Sequence, residues 1–122
     1  MSITKVEANG ANIAVVGGSE IVIEDVQSAL DLMATIKYET DCERFVISKD
    51  LVSESFFDLK TGLAGEILQK FINYHAKVAF VGDFSIYPGK SLRDFIYECN
   101  NGTDFFFLPS EQQAIEKLSL LK

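Results

Sequence analysis

Apolar and polar positions alternate between two rhythms along the chain. Residues 3–8 and 11–16 flank Asn9-Gly10, a dipeptide that supplies the positive φ angles of a two-residue hairpin turn, so they predict two antiparallel strands. Gly17-Gly18-Ser19 breaks the second strand, and Ile21-Val22-Ile23 fits either a strand or an entry to a helix. From residue 24 to 38, Val26, Ala29, Leu30, Met33 and Ile36 recur every three or four positions, the stripe of an amphipathic helix.

Three short, almost wholly apolar runs come next: Phe45-Val46-Ile47, Val78-Ala79-Phe80-Val81 and Phe105-Phe106-Phe107-Leu108. Strands covered on both faces read this way. Between and after them lie helical stripes. Leu63, Ile67, Leu68, Phe71 and Ile72 form the first, and Leu92, Phe95, Ile96 and Cys99 the second, with Ser91 as its predicted cap. Asn100-Asn101-Gly102 tolerates the left-handed conformation and is expected to stop that helix. Pro109 closes the last strand, and Ser110 with Gln113 forms a capping box ahead of Ala114, Ile115, Leu118 and Leu121. The order ββαβαβαβα predicts one α/β domain over residues 1–122, a mixed and mainly parallel sheet that begins with a hairpin.

Composition adds exclusions. Eleven Lys plus Arg against eighteen Asp plus Glu give a net charge of −7, which repels a phosphate backbone, so nucleic acid is not an expected partner. No apolar run approaches the roughly 20 residues of a membrane span, and Met1-Ser2-Ile3-Thr4-Lys5 lacks the layout of a signal peptide. A cytoplasmic protein without a membrane partner is expected. Cys42 and Cys99 are far apart and form no metal-binding pattern, so two reduced thiols are expected, with neither metal nor cofactor.

Ligands and partners of open α/β sheets gather at the carboxyl ends of the strands, which here hold Ser48-Lys49-Asp50, Gly82-Asp83-Phe84-Ser85 and Leu108-Pro109-Ser110. The helix after the first parallel strand enters through Phe57-Asp58-Leu59-Lys60-Thr61-Gly62-Leu63-Ala64-Gly65. Two glycines near a helix start cost roughly 1 kcal/mol each relative to alanine. Close packing on the sheet or close approach of a partner backbone would offset that cost.

The hairpin-first element order, the segment Asp58-Leu59-Lys60-Thr61-Gly62-Leu63 and the ending Phe107-Leu108-Pro109-Ser110 together resemble the STAS domain, the fold of bacterial anti-sigma factor antagonists. The likeness spans residues 6–118. It implies a non-catalytic regulatory module whose helix N-terminus meets a protein partner and accepts a phosphate. Aligned on Gly62, the family's phosphorylated serine falls on Lys60, which cannot take that role, and Thr61 holds the remaining hydroxyl. At closer range the chain resembles a set of short bacterial proteins, a domain of unknown function, that share Phe57 to Gly62.

The expected partner surface therefore comprises Asp58, Lys60 and Thr61 as polar contacts, Gly62 and Gly65 as permissive backbone, and Phe57 and Phe84 as apolar anchors beside Asp83. Phe56 and Tyr87 join Phe57 and Phe84 as an aromatic edge, which also fits a homodimer. A competing expectation is a small-molecule or anion site, or an enzyme, that uses Asp50, Asp58, Asp83 and Lys60 in a pocket, with Mg²⁺ as one conceivable occupant of the carboxylates. Lys90 and Arg93 extend the anion reading. His75, the only histidine, falls at the wrong end of its helix for strand-end chemistry.

Overall fold

The computed structural model describes residues 1–121. β1 (Ser2–Ala8) and β2 (Ala11–Gly17) form the antiparallel hairpin, turned by Asn9 at φ 50° and Gly10 at φ 81°. β3 (Arg44–Ser48), β4 (Lys77–Val81) and β5 (Phe105–Leu108) then add in parallel, so the sheet runs in sequence order, β1-β2-β3-β4-β5. Each crossover carries a helix: α1 (Val26–Thr40), α3 (Leu63–Asn73) and α4 (Lys90–Asn100). A sheet that grows always toward the same edge through crossovers of one hand must place those helices on one face. α5 (Glu111–Ser119) has no strand after it and covers the other face.

Alternation within the strands sorts side chains between the two layers. Ala14, Val16, Phe45, Ile47, Val78, Phe80, Phe105 and Phe107 meet the crossover helices, while Ile13, Val46, Ala79 and Phe106 meet Ala114 and Leu118 of α5. The thicker layer is aromatic. Phe80 stacks on Phe107 at 4.9 Å between centroids, Phe56 leans on Phe80 at 5.2 Å, and Phe45 meets Phe71 edge-on at 5.6 Å. Offset and edge contacts of this kind add to the apolar area that the rings bury.

Caps set the helix ends. Asp25 and Ser28 form a capping box at α1, and Ser110 accepts from the Gln113 amide at α5. α4 departs from expectation at both ends. It begins at Lys90 with Gly89 as its cap rather than at Ser91, and Asn101 sits at φ −90° where a left-handed stop was expected. The Asn100 amide is instead turned toward the sheet: its Oδ1 accepts from the Phe107 N–H at 2.7 Å and its Nδ2 donates to the Phe107 carbonyl at 3.1 Å. The ambiguous Ile21-Val22-Ile23 is a strap. Ile23 makes a lone parallel bridge to Val52, with the Val22 N–H on the Leu51 carbonyl at 2.8 Å.

Candidate functional site

Two chain crossings build the rim at the carboxyl ends of the parallel strands. The first leaves β3. The Ser48 hydroxyl accepts from the Asp50 N–H and opens the 3-10 turn Lys49–Leu51, after which the Ser53 hydroxyl accepts from the Ser55 N–H and opens α2 (Glu54–Phe57). Asp58 comes next with φ −95° and ψ 98°, and its Oδ1 accepts from the Lys60 N–H at 3.2 Å to start the 3-10 turn Leu59–Thr61. Small polar side chains that bond the backbone two residues on are the local cause of such turns.

Thr61 locks this crossing. Its hydroxyl lies 2.9 Å from the carbonyls of both Ser55 and Asp58, to which it can donate, and accepts from the Leu63 N–H at 3.1 Å. Gly62 stands at φ 74°, the left-handed conformation that only glycine adopts without strain, and caps α3 with no side-chain bond. Asp58, Lys60, Thr61, Gly62 and Gly65 are all exposed at the surface.

The second crossing leaves β4 through Gly82. Asp83, with φ −95° and ψ 101°, accepts from the Ser85 N–H at 3.0 Å and opens the 3-10 turn Phe84–Ile86. The Ser85 hydroxyl, the same N–H and the more distant Lys49 charge hold the Asp83 carboxyl below its usual range. Gly82 is needed for proximity: a Cβ there would lie 2.6 Å from Lys49 Cδ. Lys49 thus lies along the glycine, its side chain 14% exposed, and brings Nζ to 5.5 Å from the centre of the Tyr87 ring. Tyr87 donates to Glu54 Oε1 at 3.1 Å and stacks on Phe57 at 5.0 Å. Burial, with the Glu54 carboxylate second, raises the Tyr87 hydroxyl well above its ordinary value.

The model of the family described as "Domain of unknown function (DUF4180)" matches residues 8–118, nearly all of the chain. The chain belongs to the DUF4180 family. No curated protein and no solved structure matches it significantly.

In this DUF4180 domain the rim divides the expected site residues into two sets. Asp58, Lys60, Thr61 and Gly62 share one surface crown, and Asp83 lies on the neighbouring turn. Phe57 is a correction. Expected as an outward anchor, it is 4% exposed, with its ring between Phe56, Phe84 and Tyr87; Phe56 is 1% exposed. A large ring next to the open end of the sheet gains more by filling the core under α2 than by facing water. Phe84 packs against Phe57 and Phe107, and the apolar side chain that does project from this turn is Ile86, 58% exposed.

Gly65 corrects a second expectation. A Cβ built on it meets nothing within 4 Å, so close packing of α3 on the sheet does not require the glycine. The acidic pocket does not assemble either. Among the described residues no group of three or more His, Cys, Asp or Glu stands close enough to hold a metal, and the cavity that Asp83 borders, with Phe84, Ile96 and Phe107, is not lined by Asp50, Asp58 or Lys60. Lys90 pairs with Asp94 at 2.8 Å, while Arg93 borders a separate cavity of about 510 Å³ with Tyr87 and Leu92. His75 is exposed at φ 62° after α3, at the opposite end of that helix from the rim. Cys42 and Cys99 are both free, and burial pushes the Cys99 thiol up to about 11. The contacts of Lys49, Glu54 and Tyr87 were not anticipated. The Ser53-Glu54 start of α2 and the glycine directly after β4 were their only local signals.

Proposed function

We propose that this domain is a non-catalytic, STAS-like regulatory module that captures a protein partner with the crown from Asp58 to Gly65 and the adjoining Asp83–Ile86 turn. Gly65 carries the reading. Its missing side chain serves no internal contact, so the first turn of α3 offers bare backbone outward at a conformational cost that a partner's close approach would offset. The surrounding loop supports it, because the turn bonds of Asp58 and Thr61 are internal and the surface is pre-shaped before any partner arrives. The hairpin, the three strand-helix crossovers after it and the last helix support the STAS-like assignment.

Regulation enters through Thr61. Phosphate on its oxygen removes the proton that the Ser55 and Asp58 carbonyls share and places about two negative charges beside Asp58. The crown would then reshape, and a partner that fits the unmodified form would leave. Lys60 occupies the position of the STAS phosphoserine, so Thr61 is the one hydroxyl of the crown able to take this role.

The test is affinity capture from the source cells with the intact domain and its Gly65→Arg variant, whose side chain enters open space and should not lower the melting temperature. A defined partner retained by the wild type and by a Lys5→Glu control, and lost with Gly65→Arg, supports the reading. Equal capture by both forms removes the crown from consideration.

A further inference from the structure

The two edges of the sheet are finished differently. At β5, the Asn100 amide stands in for a neighbouring strand by pairing with both backbone groups of Phe107. At β1, among the described residues, no backbone hydrogen bond outside the hairpin ladder and no side-chain bond engages Ile3, Lys5 or Glu7. Open edges are templates for another strand.

The turn decides which groups face outward. Ala8 and Ala11 flank the two-residue loop and are register partners, and residues that close such a loop exchange hydrogen bonds. Alternation then directs the N–H and C=O of Ala8, Val6 and Thr4 toward β2, and those of Ile3, Lys5 and Glu7 away from the sheet. Side chains alternate as well. Val6 and Ala8 pack on the α5 layer, whereas Ile3 packs on the α1 layer, the face it shares with Lys5 and Glu7.

We propose that β1 pairs antiparallel with β1 of a second copy about a two-fold axis at Val6, joining two five-stranded sheets into one. In this register Lys5 lies opposite the partner's Glu7, and Glu7 opposite the partner's Lys5. Both pairs join residues whose amides face outward, so each exchanges two backbone hydrogen bonds and sets an ammonium against a carboxylate. The charges select this alignment over its neighbours. Centring on Lys5 would place two ammonium groups face to face, and centring on Thr4 would set Lys5 opposite Ile3, with no carboxylate across the ladder. A lysine on an edge strand usually discourages pairing, but here a carboxylate two residues away on the same face makes the edge complementary to itself.

The experiment is sedimentation equilibrium on the intact chain, with charge reversals that leave the core untouched because neither Lys5 nor Glu7 is buried. The wild type should approach twice 13.6 kDa as concentration rises. Lys5→Glu alone, or Glu7→Lys alone, sets like charges opposite one another twice per dimer and should raise the dissociation constant about tenfold or more. The combined Lys5→Glu, Glu7→Lys variant restores both pairs and should recover the wild-type constant. A chain that stays monomeric, a dimer indifferent to the single reversals, or a double variant no tighter than the singles would each overturn the proposal. Circular dichroism confirms that every variant is folded. None of the changes touches the Asp58–Gly65 crown, so partner capture there is scored separately.

Discussion

The turns that begin at Asp58 and at Asp83 are nearly the same object in two settings. Both aspartates sit at φ −95° with ψ near 100°, both accept from the N–H two residues on, and both open a single 3-10 turn at the strand-end rim. Their endings differ. The first is tied off by the Thr61 hydroxyl and closes in Gly62 at φ 74°, which turns the chain directly into α3. The second closes in Tyr87, whose ring is stacked on Phe57 and whose hydroxyl reaches Glu54 on the first crossing. An identical local motif thus yields one self-contained crown and one turn leaning on its neighbour. Local bonding sets the shape of each turn, and aromatic packing sets whether it can act alone.

Phe57 is where the two crossings depend on each other, so its removal should have the largest effect. Phe57→Ala takes away a buried ring and the support beneath Phe84 and Tyr87, and should cost about 3–5 kcal/mol in urea unfolding. Hydrogen exchange would localise the damage: amides of the Phe84–Ile86 turn should lose more protection than those of Leu59–Thr61. Equal loss in both would mean that the crown is not self-contained.

The glycines give the next two effects, with opposite signs. Gly62→Ala forces a side chain into the left-handed region and should destabilise by about 1–2 kcal/mol, although space for the Cβ exists. Gly65→Ala meets neither strain nor a neighbour and replaces the poorest ordinary helix former, so it should stabilise by about 0.5–1 kcal/mol. Thermal melts of the two variants beside the wild type measure both. A destabilising Gly65→Ala would point to an internal contact for that position and weaken the partner reading.

Much of the fold was legible in the sequence because buried parallel strands and amphipathic helices leave strong periodic traces. Phe45-Val46-Ile47 and Val78 to Val81 fall inside β3 and β4, and of the stripe Leu63, Ile67, Leu68, Phe71 and Ile72 all but the exposed Ile72 lie on the inward side of α3. The exposed half of the site was legible too, since Asp58, Lys60, Thr61 and Gly62 are polar or turn-forming residues whose local chemistry predicts a surface position. Phe57 was not. α2 spans only Glu54–Phe57, too short to show a period, and adjacent phenylalanines in an apparent loop look the same whether they face in or out. Asn100 eluded the sequence for another reason. Its amide meets Phe107 only because α4 returns beside β5, a tertiary relation with no local trace.

The smallest expected effect separates the two aspartate turns by charge. Ser85 donates to Asp83 from both its hydroxyl and its backbone N–H, which lowers the carboxyl's value in the folded state below 3.8. A group depressed by folding contributes stability that is complete above its unfolded value and is lost as pH falls through the folded value, so this contribution fades as pH falls from about 5 into the range below 3.8. Asn at position 83 keeps an oxygen that can accept from the Ser85 N–H but has no charge to lose. Asp83→Asn should therefore show a shallower fall in urea midpoint across that window than the wild type. Some slope must persist, because Asp25 and Asp41, held low by Ser28 and by Lys37, titrate in the same direction. An unchanged slope would mean that the second turn rests on Tyr87 and Phe57 alone, its carboxylate incidental to stability.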